Sequence, residues 1–221
     1  WDDTVHNFYF WRRANGRWGM LPWDFDNDMQ GGFINKSIFI GEAGNAHTTH
    51  GTHTVKNAFF KAFRDEYKEH LYYLNNTLLT PDNLRRIGLS GYVTYARGRQ
   101  ASINKQCGKL KIPVQPVATQ LTGGDSVYSP ATMVVSAFEG GEANVDHVST
   151  IWSIRTSDGS FTYPVFKTDS TENLTQMPVP FELLEFGRTY YWQAVYIDSK
   201  GRKSLPTAEG SFRYGGHARA A

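Results

Sequence analysis

The sequence predicts an α+β chain in two parts, a β-hairpin with helices followed by an all-β sandwich, and three observations predict it. The first is length, since 221 residues exceed one ordinary small domain and suit two of ~100–150 residues each. The second is helical periodicity from about Val55 to Cys107. The third is a change of grammar at Lys111, beyond which short β-branched and aromatic runs alternate with Pro, Gly, Asn, Asp and Ser.

The elements follow in chain order. "HNFYFWRR" is aromatic and alternating, "ANGRW" holds the Asn15-Gly16 hairpin signal, and "WGMLPWDF" reads as the return strand. Tyr67, Leu71, Leu74 and Leu78 recur at spacings of four, three and four with charged residues between, which predicts a helix with one buried face. Thr80-Pro81 reads as an N-cap and a first helical turn, opening a short helix that Gly88 ends. A third helix is expected over Tyr92 to Gln106, with Tyr92, Ala96, Ile103 and Cys107 as its apolar stripe. In the second half, "TYYWQAVYID" puts Tyr190, Trp192, Ala194 and Tyr196 on one face of a strand. Trp152 and Ile154 share a face of another, which Ser157-Asp158-Gly159 ends in a turn. About seven strands are expected, a sandwich number. The boundaries drawn are residues 1–112 and 113–214, with 215–221 as a flexible tail.

Composition removes several classes of function. A net charge of +2 on mixed-sign surfaces makes no basic stripe, so nucleic acid is not an expected partner. No run reaches the ~20 apolar residues of a membrane helix, so no membrane segment is expected. Cys107 is the single cysteine, which excludes an internal disulfide and a multi-thiolate metal site and reads as a small buried hydrophobe. The chain opens on Trp1 without a signal-peptide pattern and is expected to be a piece of a longer protein. The triplets at Asn35, Asn75 and Asn173 have the form of glycosylation acceptors, a pattern that also arises by chance.

Two acidic clusters stand out, "DDTVHN" at Asp2 to Asn7 and "LPWDFDND" at Leu21 to Asp28. A hairpin between them gathers Asp2, Asn7, Asp24 and Asp26 at its open end, and such hard oxygen donors suit Mg²⁺ or Ca²⁺. Asp24, Asp26 and Asp28 imitate a calcium loop, but Met29 stands where that loop needs glycine and Asn35 where it needs a bidentate glutamate. An aspartate, an asparagine five later and a second aspartate after the next strand is the order used by protein kinases. The plainer reading is turn and capping chemistry at strand ends. His47, His50 and His53 recur every third residue in "HTTHGTH", but Gly51 and its polar neighbours make this a loop rather than a metal-binding helix. His6 reads as an orienting partner of the acids, and Trp18 and Trp23 as packing residues.

"WDDTVHNFYFWRRANGRWGMLPWDFD", with the helices after it, resembles the catalytic part of the spore-coat CotH kinase family over about residues 1–107. The resemblance implies a partial kinase-like C-lobe, with Asp2 as catalytic base, Asn7 and Asp24 as cofactor and Mg²⁺ ligands, and Asp26 as a supporting metal ligand. Asp3 is the alternative base, and Gly31-Gly32 the alternative to the glycine often seen soon after the second aspartate. The cofactors implied are Mg²⁺ and ATP, with Ca²⁺ as the alternative, and the substrate a protein Ser or Thr hydroxyl. A kinase also needs an upstream phosphate-covering loop and lysine, so the fragment alone is expected to be inactive. "LLEFGRTYYWQAVYIDSKGRKS" resembles the penultimate strand of a fibronectin type III or related immunoglobulin-like domain, with Tyr190 as its tyrosine-corner residue. Together these imply an extracytoplasmic, secreted or cell-surface multidomain protein whose sandwich meets cell-surface or coat proteins. The alternative is a non-catalytic extracellular scaffold or adhesion protein with a structural cation site.

Overall fold

A computed structural model of the chain describes residues 8–12, 18–22, 34–39 and 54–217. It divides into two compact units, Trp1–Lys109 and Leu110–Ala221. The first is mixed, with strands and helices, and the second is mostly sheet.

In the first unit, β1 (Phe8–Arg12) and β2 (Trp18–Pro22) pair antiparallel, from Phe8 opposite Pro22 to Arg12 opposite Trp18. The expected Asn15-Gly16 turn lies outside the described residues. α1 (Thr54–Thr77) is interrupted at Phe63, whose φ of −131° and ψ of 33° are not helical. α2 (Pro81–Arg86) starts where Thr80 accepts a hydrogen bond from the Asn83 N–H at 3.2 Å, with Pro81 at the first helical position. Gly88, at φ 83°, then takes the chain out of the helix. A 3₁₀ turn over Ser90–Tyr92 leads into α3 (Val93–Cys107).

Two details of the helical pattern are corrected. Leu74 and Leu78 are 42% and 52% exposed, so the stripe running through them is not the buried face of α1. The face turned to α3 carries Asn75, which is buried, and amide groups rather than leucines fill that contact. Asn75 Nδ2 donates to Gln100 O and Asn104 Oδ1 at 3.2 Å each, Asn104 Nδ2 donates to Asn76 Oδ1 at 3.0 Å, and Gln100 Nε2 donates to Asn75 O at 3.0 Å. In α3, Val93, Ala96, Ile103 and Cys107 are buried, whereas Tyr92 sits in the preceding turn and is exposed. Cys107 is fully buried and its thiol donates to Lys68 O at 3.6 Å, while burial pushes its pKa up.

The second unit has seven strands: β3 (Ser126–Ser129), β4 (Thr132–Val134), β5 (His147–Thr156), β6 (Phe166–Ser170), β7 (Gln176–Pro178), β8 (Thr189–Asp198) and β9 (Gly210–His217). Five form a sheet in the order β3-β9-β8-β5-β6, antiparallel except for the β3/β9 edge, and β4 pairs with β7 in a second sheet. Met133 and Met177 from the smaller sheet share one buried cluster with Trp152, Ile154, Trp192 and Tyr196 from the larger. The expected period-two faces of β5 and β8 are those that enter this core. Trp152 and Trp192 stack at 5.9 Å, and each buried indole N–H finds a carbonyl, Asn173 O at 2.7 Å and Leu121 O at 2.9 Å. The Gly159 N–H bonds Thr156 O at 3.1 Å, as the predicted turn requires, but β6 begins only at Phe166. β9 runs through His217, because Tyr128 and Ser129 of β3 pair with Gly216 and His217; ladder bonds thus hold residues expected to lie in the tail.

Candidate functional site

Asp2, Asn7, Asp24 and Asp26 lie outside the described residues, as do Asp3, His6, Gly31, Gly32 and the histidines His47, His50 and His53. What is described is the framework flanking the two acidic stretches. β1 begins at Phe8, one residue after Asn7, and β2 ends at Pro22, two residues before Asp24, and these two strand ends are paired. The alternating aromatic sequence of β1 favours a pleated strand, and Pro22, lacking an N–H, is tolerated because β2 is an edge strand.

On the far side of the second acidic stretch, residues 34–39 form a strap against α1 and α3. Arg99 Nη1 donates to Ile34 O at 3.1 Å and to Lys36 O at 2.6 Å. Gln106 uses both ends of its amide, Nε2 donating to Lys36 O at 3.1 Å and Oε1 accepting from Ile38 N–H at 2.9 Å. The Tyr67 hydroxyl donates to Ile38 O at 2.9 Å. Ile38 and Phe39 are buried, and the Phe39 ring meets Phe60 edge-on at 5.4 Å with the Arg64 guanidinium 3.7 Å above its centroid. Gly98 is the residue that admits Ile34: a Cβ there would lie 3.0 Å from Ile34 Cγ2. Arg99 and Gln106 are seven apart on α3, two turns and therefore one face. Spacing alone could place them together, but their target, the main chain of a segment without regular structure, has no sequence signature.

Among the described residues, no group of three or more His, Cys, Asp or Glu side chains converges as a metal site. No helix among them is long and apolar enough to cross a membrane. In the second unit Asp198 is a fully buried acid, whose carboxylate accepts from Lys200 N–H and Arg202 N–H at 2.9 Å and from Arg202 Nε at 2.8 Å. Those bonds close the Asp198–Gly201 turn, with Gly201 at φ 75°, and make it structural. Tyr190 accepts from Glu185 N–H at 2.7 Å, a tie between the end of the preceding turn and the start of β8.

No curated protein matches the chain. Among solved structures, the chain is similar to one titled "Myokine structure" at 14% identity and a TM-score of 0.33, over 48% of this chain and 97% of that one. It is similar to an α-L-rhamnosidase from Dictyoglumus thermophilum at 17% identity and 0.37, over 48% and 13%. It is also similar to titin module A71 from human cardiac muscle at 16% and 0.31, over 48% and 90%. Likeness of this degree is too slight to assign a fold family. The family model described as CotH kinase protein matches residues 1–88, a span that contains both acidic clusters, β1, β2, α1 and α2. Residues 1–88 are therefore a region similar to the CotH kinase protein family.

Proposed function

We propose that the protein containing this chain transfers the γ-phosphoryl group of ATP to Ser or Thr hydroxyls of a protein substrate. In this reading the first unit is the rear part of a kinase-like domain, and the acidic residues at the open end of its hairpin work on the phosphates. One observation carries the reading: the CotH-like match spans Asp2, Asn7, Asp24 and Asp26 together with the hairpin between them. The strand register is compatible with it: Phe8, the residue after Asn7, faces Pro22, two residues before Asp24.

The donor set fits the group it would hold. Asn7 and Asp24 supply one amide and one carboxylate oxygen ligand, Asp26 supports them, and hard oxygen donors of this kind suit Mg²⁺ better than zinc or copper. Bound Mg²⁺ would offset the charge of the ATP phosphates. Asp2 would accept the substrate hydroxyl proton on a carboxylate oxygen, and Asn7 and Asp24 would orient the phosphates for in-line transfer. Little covalent chemistry falls to the protein, so positioning and electrostatics supply most of the rate.

The second unit is read as a fibronectin type III-like, immunoglobulin-like spacer or adhesion domain of an exported protein. Its seven strands in two sheets and the Tyr190–Glu185 bond support that reading. The test is protein phosphorylation with Mg²⁺-ATP by the full-length protein and by Asp24→Ala. Transfer by the first and its loss in the second are expected. Equal activity would remove Asp24 from the mechanism, and no activity in either would favour a non-catalytic scaffold with a structural cation.

A further inference from the structure

The three Asn-x-Ser/Thr triplets, at Asn35, Asn75 and Asn173, are alike in sequence but not in the fold. Such a triplet takes an N-linked glycan where it lies in a surface turn or loop of a secreted chain, because the sugar stays in water and the asparagine amide has to be reachable. Asn75 fails on both counts. It is 3% exposed within α1, and its Nδ2 donates one hydrogen bond to Gln100 O and another to Asn104 Oδ1, both at 3.2 Å. The Thr77 hydroxyl of the same triplet donates to Tyr73 O at 2.7 Å. A sugar on Asn75 would have to enter the contact between α1 and α3. Asn173 is half-buried, and its triplet is tied at every residue. Its Nδ2 donates to Ser170 Oγ at 3.3 Å and its carbonyl accepts from Trp152 Nε1 at 2.7 Å. Leu174 O accepts from the Thr150 hydroxyl at 2.5 Å, and Thr175 O from the Val135 N–H at 3.0 Å.

Asn35 differs. It is exposed in the turn that opens the strap of residues 34–39, with Lys36 exposed beside it, and its amide has no hydrogen-bond partner among the described residues. The main chain explains this presentation. Arg99 Nη1 takes the carbonyls on either side of Asn35, Ile34 O at 3.1 Å and Lys36 O at 2.6 Å, and Gln106 Nε2 also donates to Lys36 O at 3.1 Å. The clamp holds only backbone here, so a group added at Asn35 Nδ2 displaces none of these bonds. Ser37 completes the triplet, and its Oγ accepts the Phe39 N–H at 3.1 Å, a local turn that uses no atom of Asn35. We infer that Asn35 is an N-glycosylation site and that Asn75 and Asn173 are not. The co-reactant is a polyprenyl-diphosphate-linked oligosaccharide, presented by a glycosyltransferase. Asn35 Nδ2 forms a bond to the anomeric carbon of the sugar while the bond from that carbon to the diphosphate oxygen breaks. The lipid diphosphate leaves, and a base of the transferase takes one amide proton. The inference rests on the reading of the protein as exported.

The test sends the full-length protein, behind a eukaryotic signal peptide, through the secretory pathway of a eukaryotic host, and maps glycans by peptide mass spectrometry before and after peptide-N-glycosidase. The peptide holding Asn35 is expected to carry a glycan in most molecules, and those holding Asn75 and Asn173 to be bare. Asn35→Gln should abolish the modification at an unchanged melting temperature, because no described residue bonds that side chain. Ser37→Ala keeps the asparagine but breaks the triplet, and should abolish it too. A secreted, folded wild type with Asn35 bare, or with its glycan at Asn75 or Asn173, would overturn the inference. Fractionation of the cells that make the native protein, with the same peptide map, separates the two ideas. Native protein confined to the cytoplasm would refute export and, with it, glycosylation in the source. Native protein recovered outside the cytoplasm with Asn35 bare would leave export standing and refute the site.

Discussion

Replacing Tyr190 by Phe removes one oxygen from the core of the second unit and nothing else. The hydroxyl accepts the Glu185 N–H at 2.7 Å, and the side chain is only 2% exposed, so water cannot easily take the vacated position. The ring would keep its place, 5.8 Å from Phe212 at an interplanar angle of 31°. The loss is then that of a hydrogen bond plus a partly desolvated amide. A net bond contributes about 0.5–1.5 kcal/mol, and a buried donor left without a partner costs about 1–3 kcal/mol. Because Glu185 itself is exposed, the lower part of that range applies, and about 1–2 kcal/mol is expected. Urea unfolding followed by tryptophan fluorescence should show a lower midpoint with unchanged slope, since the surface exposed on unfolding does not change. Amide exchange at Glu185 should accelerate in parallel. A midpoint within error of the wild type, with Glu185 still protected, would refute the view that this bond ties the corner to β8.

Other expectations follow from the same geometry. A Cβ on Gly210 would lie 2.2 Å from Trp192 Nε1 and 2.8 Å from Leu121 O, so Gly210→Ala should cost about 3 kcal/mol or prevent folding, read from the melting temperature of the chain. Asn75→Leu removes two donated hydrogen bonds, to Gln100 O and Asn104 Oδ1, while Asn104 Oδ1 keeps its bond from Asn76 Nδ2; about 1–2 kcal/mol of destabilisation of the first unit is expected in chemical denaturation. His147 is stacked on Phe138 at 4.7 Å, and its burial lowers its pKa below the ordinary 6.5. The unfolded chain therefore binds the proton first, so His147 stabilises the fold fully above about pH 6.5 and that contribution is lost as pH falls below it. An NMR titration of His147 should give a value below that of an exposed histidine; a raised value would contradict this.

The legible parts of the fold were those dictated locally. Trp152, Ile154, Trp192 and Tyr196 were expected in the core because a strand's faces alternate strictly, and all four are fully buried. Thr80-Pro81 and Gly88 marked the ends of α2 because capping and positive φ are properties of single residues. Leu74 and Leu78 misled because hydrophobic spacing identifies a helix face without saying what the opposite helix offers. α3 offers Gln100 and Asn104, and the amide Asn75 answers them. The end of β9 was illegible because Gly215-Gly216 reads as a flexible tail until the partner strand β3 is known. In the candidate site, the acidic clusters and the hairpin could be read from residue type and alternation. The Arg99–Gln106 clamp could not, because a side chain that binds main chain imposes no pattern on the segment it holds.

The most direct test of the phosphoryl-transfer account is the initial rate at which label from γ-labelled ATP appears on Ser or Thr of a protein substrate, with Mg²⁺ and the full-length protein, wild type against Asp24→Asn. The account expects measurable transfer by the wild type and a fall of about a hundredfold or more in the variant, the scale on which a positioned electrostatic group acts. Transfer at equal rates, or none from a folded wild-type protein, would contradict it.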